Sequence, residues 1–114
     1  MNERRKLPRR HLIFYLRLLD AQTGELLGYL GDISAGGLLM ISEKPFAVGR
    51  KLKVRMMLPH EVEGQESVEM DAEVRRCAPD YNPAFQAVGM EVKDLPDETL
   101  RLLARLLQDM GFRD

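Results

Sequence analysis

The sequence predicts a small all-β barrel, six-stranded and antiparallel, with a C-terminal α-helix covering one end. Three observations carry that expectation. Apolar segments recur at short spacing with turn signals between them. Two of these segments alternate with period two, the pattern of half-buried strands. The period becomes helical only near the C-terminus. The chain has 114 residues, 45% hydrophobic and 31% charged, which suits a single domain around one core. Closing the sheet into a barrel leaves no exposed edges.

The elements follow in order. His11 to Leu19 is apolar and partly aromatic and reads as a first strand; Asp20 to Gly24 then turns the chain into Glu25–Leu30. Asp32-Ile33-Ser34-Ala35-Gly36-Gly37 reads as a turn cluster before a third strand, Leu38–Ile41, and Pro45 and Gly49 mark a connector. From Lys51 to Leu58, residues Leu52, Val54 and Met56 share one face while Lys53, Arg55 and Met57 share the other. A polar loop is expected over Pro59–Gln65. Val68–Val74 alternates again, Ala78–Pro83 turns, and Phe85–Val92 forms a sixth strand that Gly89 interrupts. Leu100, Leu103, Leu107 and Met110, widened by Leu102 and Leu106, place a helix at about 95–110 whose apolar stripe packs on the barrel. Asp94 is its expected N-cap, Pro96, Asp97 and Glu98 its first turn, and Gly111 its end.

The net charge of −1 conceals a polarised distribution. The first ten residues hold five bases and one acid, whereas the other 104 hold 12 bases and 17 acids. Residues 1–10 are therefore expected to form a flexible basic tail on a mildly acidic domain, 11–114; the charge suits a tail that meets an anion, and composition alone equally allows a solvated terminus that only aids solubility. No apolar run approaches the roughly 20 residues of a membrane-spanning helix. The charged start has no secretory apolar segment, so cytoplasmic residence is expected. Cys77, the single cysteine, can form no internal disulfide and no multi-cysteine metal site. His11 and His60 are isolated, no nucleophile stands beside a base and an orienting group, and no Walker or dinucleotide-binding glycine loop occurs. Neither an enzyme nor a metal or cofactor is expected.

Two local patterns suit anion and base recognition. Arg4-Arg5-Lys6-Leu7-Pro8-Arg9 contains Arg-x-x-x-Arg at Arg5 and Arg9, and Pro8 biases Leu7 away from helix. Arginine binds phosphate bidentately, pairs with guanine O6 and N7, and stacks on base faces. Asp32-x-Ser34-x-x-Gly37 offers a carboxylate acceptor for guanine N–H groups and a hydroxyl for a phosphate or a turn. Gly36 and Gly37 permit positive φ and close backbone approach.

Together and in this order, the two patterns resemble the signature of the PilZ family of bacterial cyclic di-GMP receptors. The resemblance covers nearly the whole chain and implies a six-stranded antiparallel barrel with a C-terminal helix. It further implies that Arg5 and Arg9 contact guanine edges and phosphates while Asp32, Ser34, Gly36 and Gly37 hold the opposite side of the ligand. An arginine just before the first motif arginine, here Arg4, is associated in this family with two intercalated cyclic di-GMP molecules per chain. Some members place an aromatic on a barrel strand against a guanine; here that strand reads Ala72-Glu73-Val74-Arg75-Arg76. Arg75 or Arg76, and Arg10 beside the tail motif, are additional candidates. The implied function is a receptor whose tail orders on the ligand and signals to a protein partner, with no DNA, RNA or membrane insertion expected. One alternative is a PilZ-like interaction module for motility or pilus assembly that binds no nucleotide. Another is a small nucleic-acid-binding barrel with a basic arm, a reading that the acidic body and 6% aromatic content oppose.

Overall fold

Six strands follow one another along the chain before the helix: β1 (Arg17–Asp20), β2 (Leu26–Ser34), β3 (Gly37–Ser42), β4 (Lys51–Val62), β5 (Gln65–Pro79) and β6 (Gln86–Lys93), then α1 (Asp97–Asp109). They come from a computed structural model that describes residues 16–34 and 36–109. The strands close into a barrel in the order β1-β2-β3-β6-β5-β4, all neighbours antiparallel. The expected fold class is thus the observed one. The proposed tail of residues 1–10, the His11–Tyr15 part of the first strand, Met110 and Gly111 lie outside the described residues.

Alternation places the core. In β4, Leu52, Val54 and Met56 point inward; opposite them on β5, Val68, Met70, Ala72 and Val74 do the same. Leu18, Leu30, Met40 and Val88 join them in the interior and are almost fully buried. The outer faces of β4 and β5 carry the cross-strand pairs Lys53–Asp71 and Arg55–Glu69, which at this exposure contribute little to stability. From α1, Leu102, Leu103 and Leu106 enter the same core. Leu100, also expected on the stripe, is only half-buried, and the side chain of Leu107 lies outside the described residues.

Several expected boundaries need correction. Pro59–Gln65 is not a loop: β4 continues through Pro59 and His60 to Val62, and only Glu63 and Gly64 turn the chain. Both have positive φ, 51° and 82°, as a two-residue hairpin turn matched to strand twist requires. Pro59, which lacks an N–H, falls where the β4–β5 register shifts, between Met57 and Val62. Likewise β5 runs on to Pro79, past the expected turn at Ala78. Asp94 is not the N-cap of α1. Its φ of 52° is left-handed, whereas an N-cap is extended; the first helical bond runs from Leu100 N–H to the Pro96 carbonyl at 3.0 Å.

Candidate functional site

Two irregularities in the barrel wall create the site. In a regular strand successive side chains alternate faces. Between Leu30 and Asp32 the β2–β3 register shifts, with Leu30 opposite Met40 and Asp32 opposite Leu39. Gly31 is the extra residue, so Leu30 stays in the core while Asp32 faces out. Between Val74 and Arg76 the β5–β6 register shifts in the same way: Val74 faces Met90 and Arg76 faces Gly89. Arg75 is the extra residue there. Without that bulge Arg76, rather than Cys77, would follow Val74 into the interior.

The two bulges align one outward row across four neighbouring strands. Asp32 is opposite Leu39, Leu39 opposite Gly89, and Gly89 opposite Arg76. The next row comprises Ser34, Gly37, Glu91 and Glu73. At the usual strand spacing the first row spans about 14 Å along the sheet. Over these rows lies a pocket of about 530 Å³, lined by Asp32, Ser34, Gly36, Gly37, Arg75 and Arg76 together with Ile33, Leu38, Leu39, Gly89, Met90 and Glu91. Its size falls in the range of small-molecule sites, and it combines an apolar floor with a few polar groups on the walls.

Each polar group has a definite state. Asp32 is half-buried, and its Oδ1 accepts the Ile33 N–H at 2.9 Å, leaving Oδ2 without a partner among the described residues. The Ser34 hydroxyl donates to the Gly37 carbonyl at 3.5 Å, a long bond that a better acceptor can replace. Arg75 Nε donates to Glu91 Oε1 at 2.9 Å, a second guanidinium nitrogen pairs with the same oxygen, and Nη1 lies 3.7 Å from Glu73. That hydrogen bond, then the attraction of Glu73 and Glu91, raises the Arg75 pKa. In return the Arg75 hydrogen bond, then its charge, holds the Glu91 carboxyl below the usual carboxylate value. Arg76 is exposed and makes no ion pair among the described residues; its side chain lies over Gly89, where an added Cβ would sit 3.7 Å from Arg76 Cβ and Nε.

The motif is not a turn cluster as expected from the sequence. Asp32, Ile33 and Ser34 end β2, Gly37 begins β3, and only residues 35 and 36 connect them. Gly37 is required for closeness rather than for a positive φ: a Cβ there would stand 2.5 Å from the Met90 carbonyl oxygen. The structure brings Asp32, Ser34, Gly36, Gly37, Arg75 and Arg76 together. Arg4, Arg5, Arg9 and Arg10 lie outside the described residues. Even so, the described chain joins the barrel beside the site, since Leu30 N–H bonds the Leu16 carbonyl at 2.9 Å. Sequence reasoning did not identify Leu39, Met90 and Glu91; the only pointer was Gly89, a glycine inside a strand, which often marks a bulge or a close approach. Among the described residues no cluster of His, Cys, Asp and Glu could hold a metal ion, and no helix is long and apolar enough to cross a membrane.

The family model for the PilZ domain matches residues 3–109. The chain belongs to the PilZ domain family. The match spans both the Arg5/Arg9 and the Asp32/Ser34/Gly37 patterns of this PilZ domain, together with the whole described barrel. No curated protein matches the chain. Among solved structures, this PilZ domain is similar to the Bacillus subtilis inhibitor of motility MotI/DgrA, with 22% identity and a TM-score of 0.61. The match covers 84% of this chain and 46% of the other, so the PilZ domain described here spans about half the length of that protein. At this identity the likeness concerns the fold.

Proposed function

We propose that this PilZ domain is a cyclic di-GMP receptor that clasps the dinucleotide between its N-terminal arginines and the pocket across β2, β3, β6 and β5. The observation that carries the reading is the row Asp32–Leu39–Gly89–Arg76, which sets at its two ends a carboxylate oxygen and a guanidinium that have no partner among the described residues. A guanine lying on Leu39, beside the Arg76 side chain that covers Gly89, would present its N1–H and N2–H to a carboxylate, and Asp32 Oδ2 is placed to be that acceptor. The negative linkages need cations, which Arg76 offers from the barrel and Arg5 and Arg9 from upstream. Arg9 precedes Leu16 by seven residues in sequence, and Leu16 is bonded to Leu30 beside the site, a separation that a chain of that length can bridge.

On this reading the ligand orders the upstream segment. Fixing roughly ten residues costs about 1–2 kcal/mol each, which charge-assisted contacts and stacked bases must offset. The ordered segment and the ligand then form a new surface for a protein partner, and the protein acts as an adaptor rather than a catalyst. Arg4 supplies one more guanidinium, which favours two stacked ligands per chain.

Calorimetric titration with cyclic di-GMP, beside GTP and cyclic di-AMP, tests the proposal. Saturable binding of cyclic di-GMP alone supports it, and Arg5→Ala or Arg9→Ala should weaken that binding at least about tenfold. Absence of binding in the unaltered protein refutes it. A stoichiometry of one at every accessible concentration overturns the two-ligand part. Unchanged amide exchange of residues 3–10 on saturation would overturn the ordering.

A further inference from the structure

The two consecutive arginines of β5 occupy different environments although they are neighbours in sequence and both line the pocket. The bulge between Val74 and Arg76 turns both outward, where strict alternation would send one of them into the core. Arg75, the extra residue, reaches toward the neighbouring row, in which Glu73 and Glu91 stand directly opposite each other. Two like charges in that position repel. Arg75 lies between them and pairs with both, while Lys93 adds a contact to Glu73 at 3.6 Å. Arg76 instead lies over Gly89, which has no side chain to displace it, and it has no acidic partner among the described residues.

We propose that the bulge divides the labour between these residues: Arg76 is the barrel-side contact for the anionic ligand, and Arg75 is a positioning residue that keeps Glu91 neutralised at the pocket wall. The inference rests on the cyclic di-GMP reading above. Glu91 lines the pocket, so an unpaired carboxylate there would oppose a ligand with two phosphates. Arg75 is already committed to Glu91 and Glu73 and would have to leave two acids exposed to each other in order to bind the ligand itself. Arg76 gives up no ion pair among the described residues when it does so. Glu73 and Glu91 thus decide which arginine is available.

The test is a set of cyclic di-GMP affinities measured by calorimetry on the full chain, with thermal melts alongside. Arg76→Ala should lose at least about tenfold in affinity with its melting temperature unchanged. Arg75→Ala should lose about threefold to tenfold, the size expected for one screened charge uncovered near the ligand. Adding Glu91→Gln to Arg75→Ala should restore affinity to within about twofold of the unaltered protein. The same Glu91→Gln change should improve Arg76→Ala and the unaltered protein far less. Adding Glu73→Gln to Arg75→Ala also removes the repulsion between the two acids, yet it should not restore binding, because Glu91 stays charged. That comparison separates the role at the ligand from a role in stability alone. Equal effects of Glu91→Gln in every background, or unaltered affinity in Arg76→Ala, would overturn the division of labour. Failure of the unaltered protein to bind cyclic di-GMP would instead overturn the parent reading.

Discussion

Replacing Gly37 by alanine tests whether the Asp-x-Ser-x-x-Gly pattern is held by sheet geometry. The new Cβ would lie 2.5 Å from the Met90 carbonyl oxygen, a backbone atom that cannot swing aside as a flexible side chain could. Contact becomes ordinary near 3.4 Å, so β3 and β6 must part locally by roughly 0.9 Å. Overpacking of this kind costs about 1–3 kcal/mol. The Val92 N–H to Gly36 carbonyl bond, already 3.2 Å long, would weaken further and add up to about 1 kcal/mol. The net expectation is a loss of about 2–3 kcal/mol, or a fall of about 8–12 °C in melting temperature for a domain of this size. Gly89→Ala is the matched control: it lies in the adjacent strand, and its added Cβ would meet nothing closer than 3.7 Å. That variant should melt within a few degrees of the unaltered protein, or slightly higher, because alanine restricts the unfolded chain. Thermal unfolding followed by circular dichroism distinguishes the two. A Gly37→Ala variant that melts within about 2 °C of the unaltered protein would show that the β3–β6 approach is not what fixes this glycine.

Three further outcomes follow from the same geometry. Ser42 is buried, donates to the Leu27 carbonyl at 2.7 Å and accepts from Lys44 N–H, so Ser42→Ala should cost about 1–2 kcal/mol in urea denaturation. Asp32→Ala should leave the melting temperature nearly unchanged, because its one bond among the described residues is to the neighbouring Ile33 N–H; cyclic di-GMP affinity should fall at least about tenfold. Glu91 has a lowered pKa in the folded state, chiefly from the Arg75 hydrogen bond. Its contribution to stability is therefore fully present above its ordinary value and disappears as pH falls through the lowered one. The stability gap between the unaltered protein and Glu91→Gln should accordingly be largest near neutrality and close in acid, as measured by melts from pH 7 downward.

Strand number, helix placement and fold class were readable because β4 and β5 alternate strictly over Leu52–Met56 and Val68–Val74, and because the leucines of α1 recur at helical spacing. What escaped the reading were the places where the period breaks without the strand ending. Gly31 and Arg75 are extra residues in continuing strands, and a pattern of ones and twos registers such residues as strand ends or turns. That is why Asp32–Ser34 read as loop, and why Arg75 and Arg76 could not be told apart. Pro59 and His60 misled for the opposite reason: they look like loop residues but sit in a strand whose pairing is locally interrupted. The motif residues were visible as chemistry, whereas Leu39, Met90 and Glu91 join the pocket only through register, which no local sequence pattern encodes.

Closure of the barrel sets when in the life of the molecule the pocket can exist. Its floor crosses the β3–β6 seam, where Leu38 meets Met90 from roughly half the chain away. Contacts so distant in sequence form late and slowly, and barrels dominated by them fold in about milliseconds to seconds. A chain with the β2–β3 and β5–β6 hairpins made but the seam open holds Asp32 and Arg76 on separate pieces. A ligand that needs both can recognise only the finished ring. Such a ligand should therefore slow unfolding and leave the early folding steps untouched.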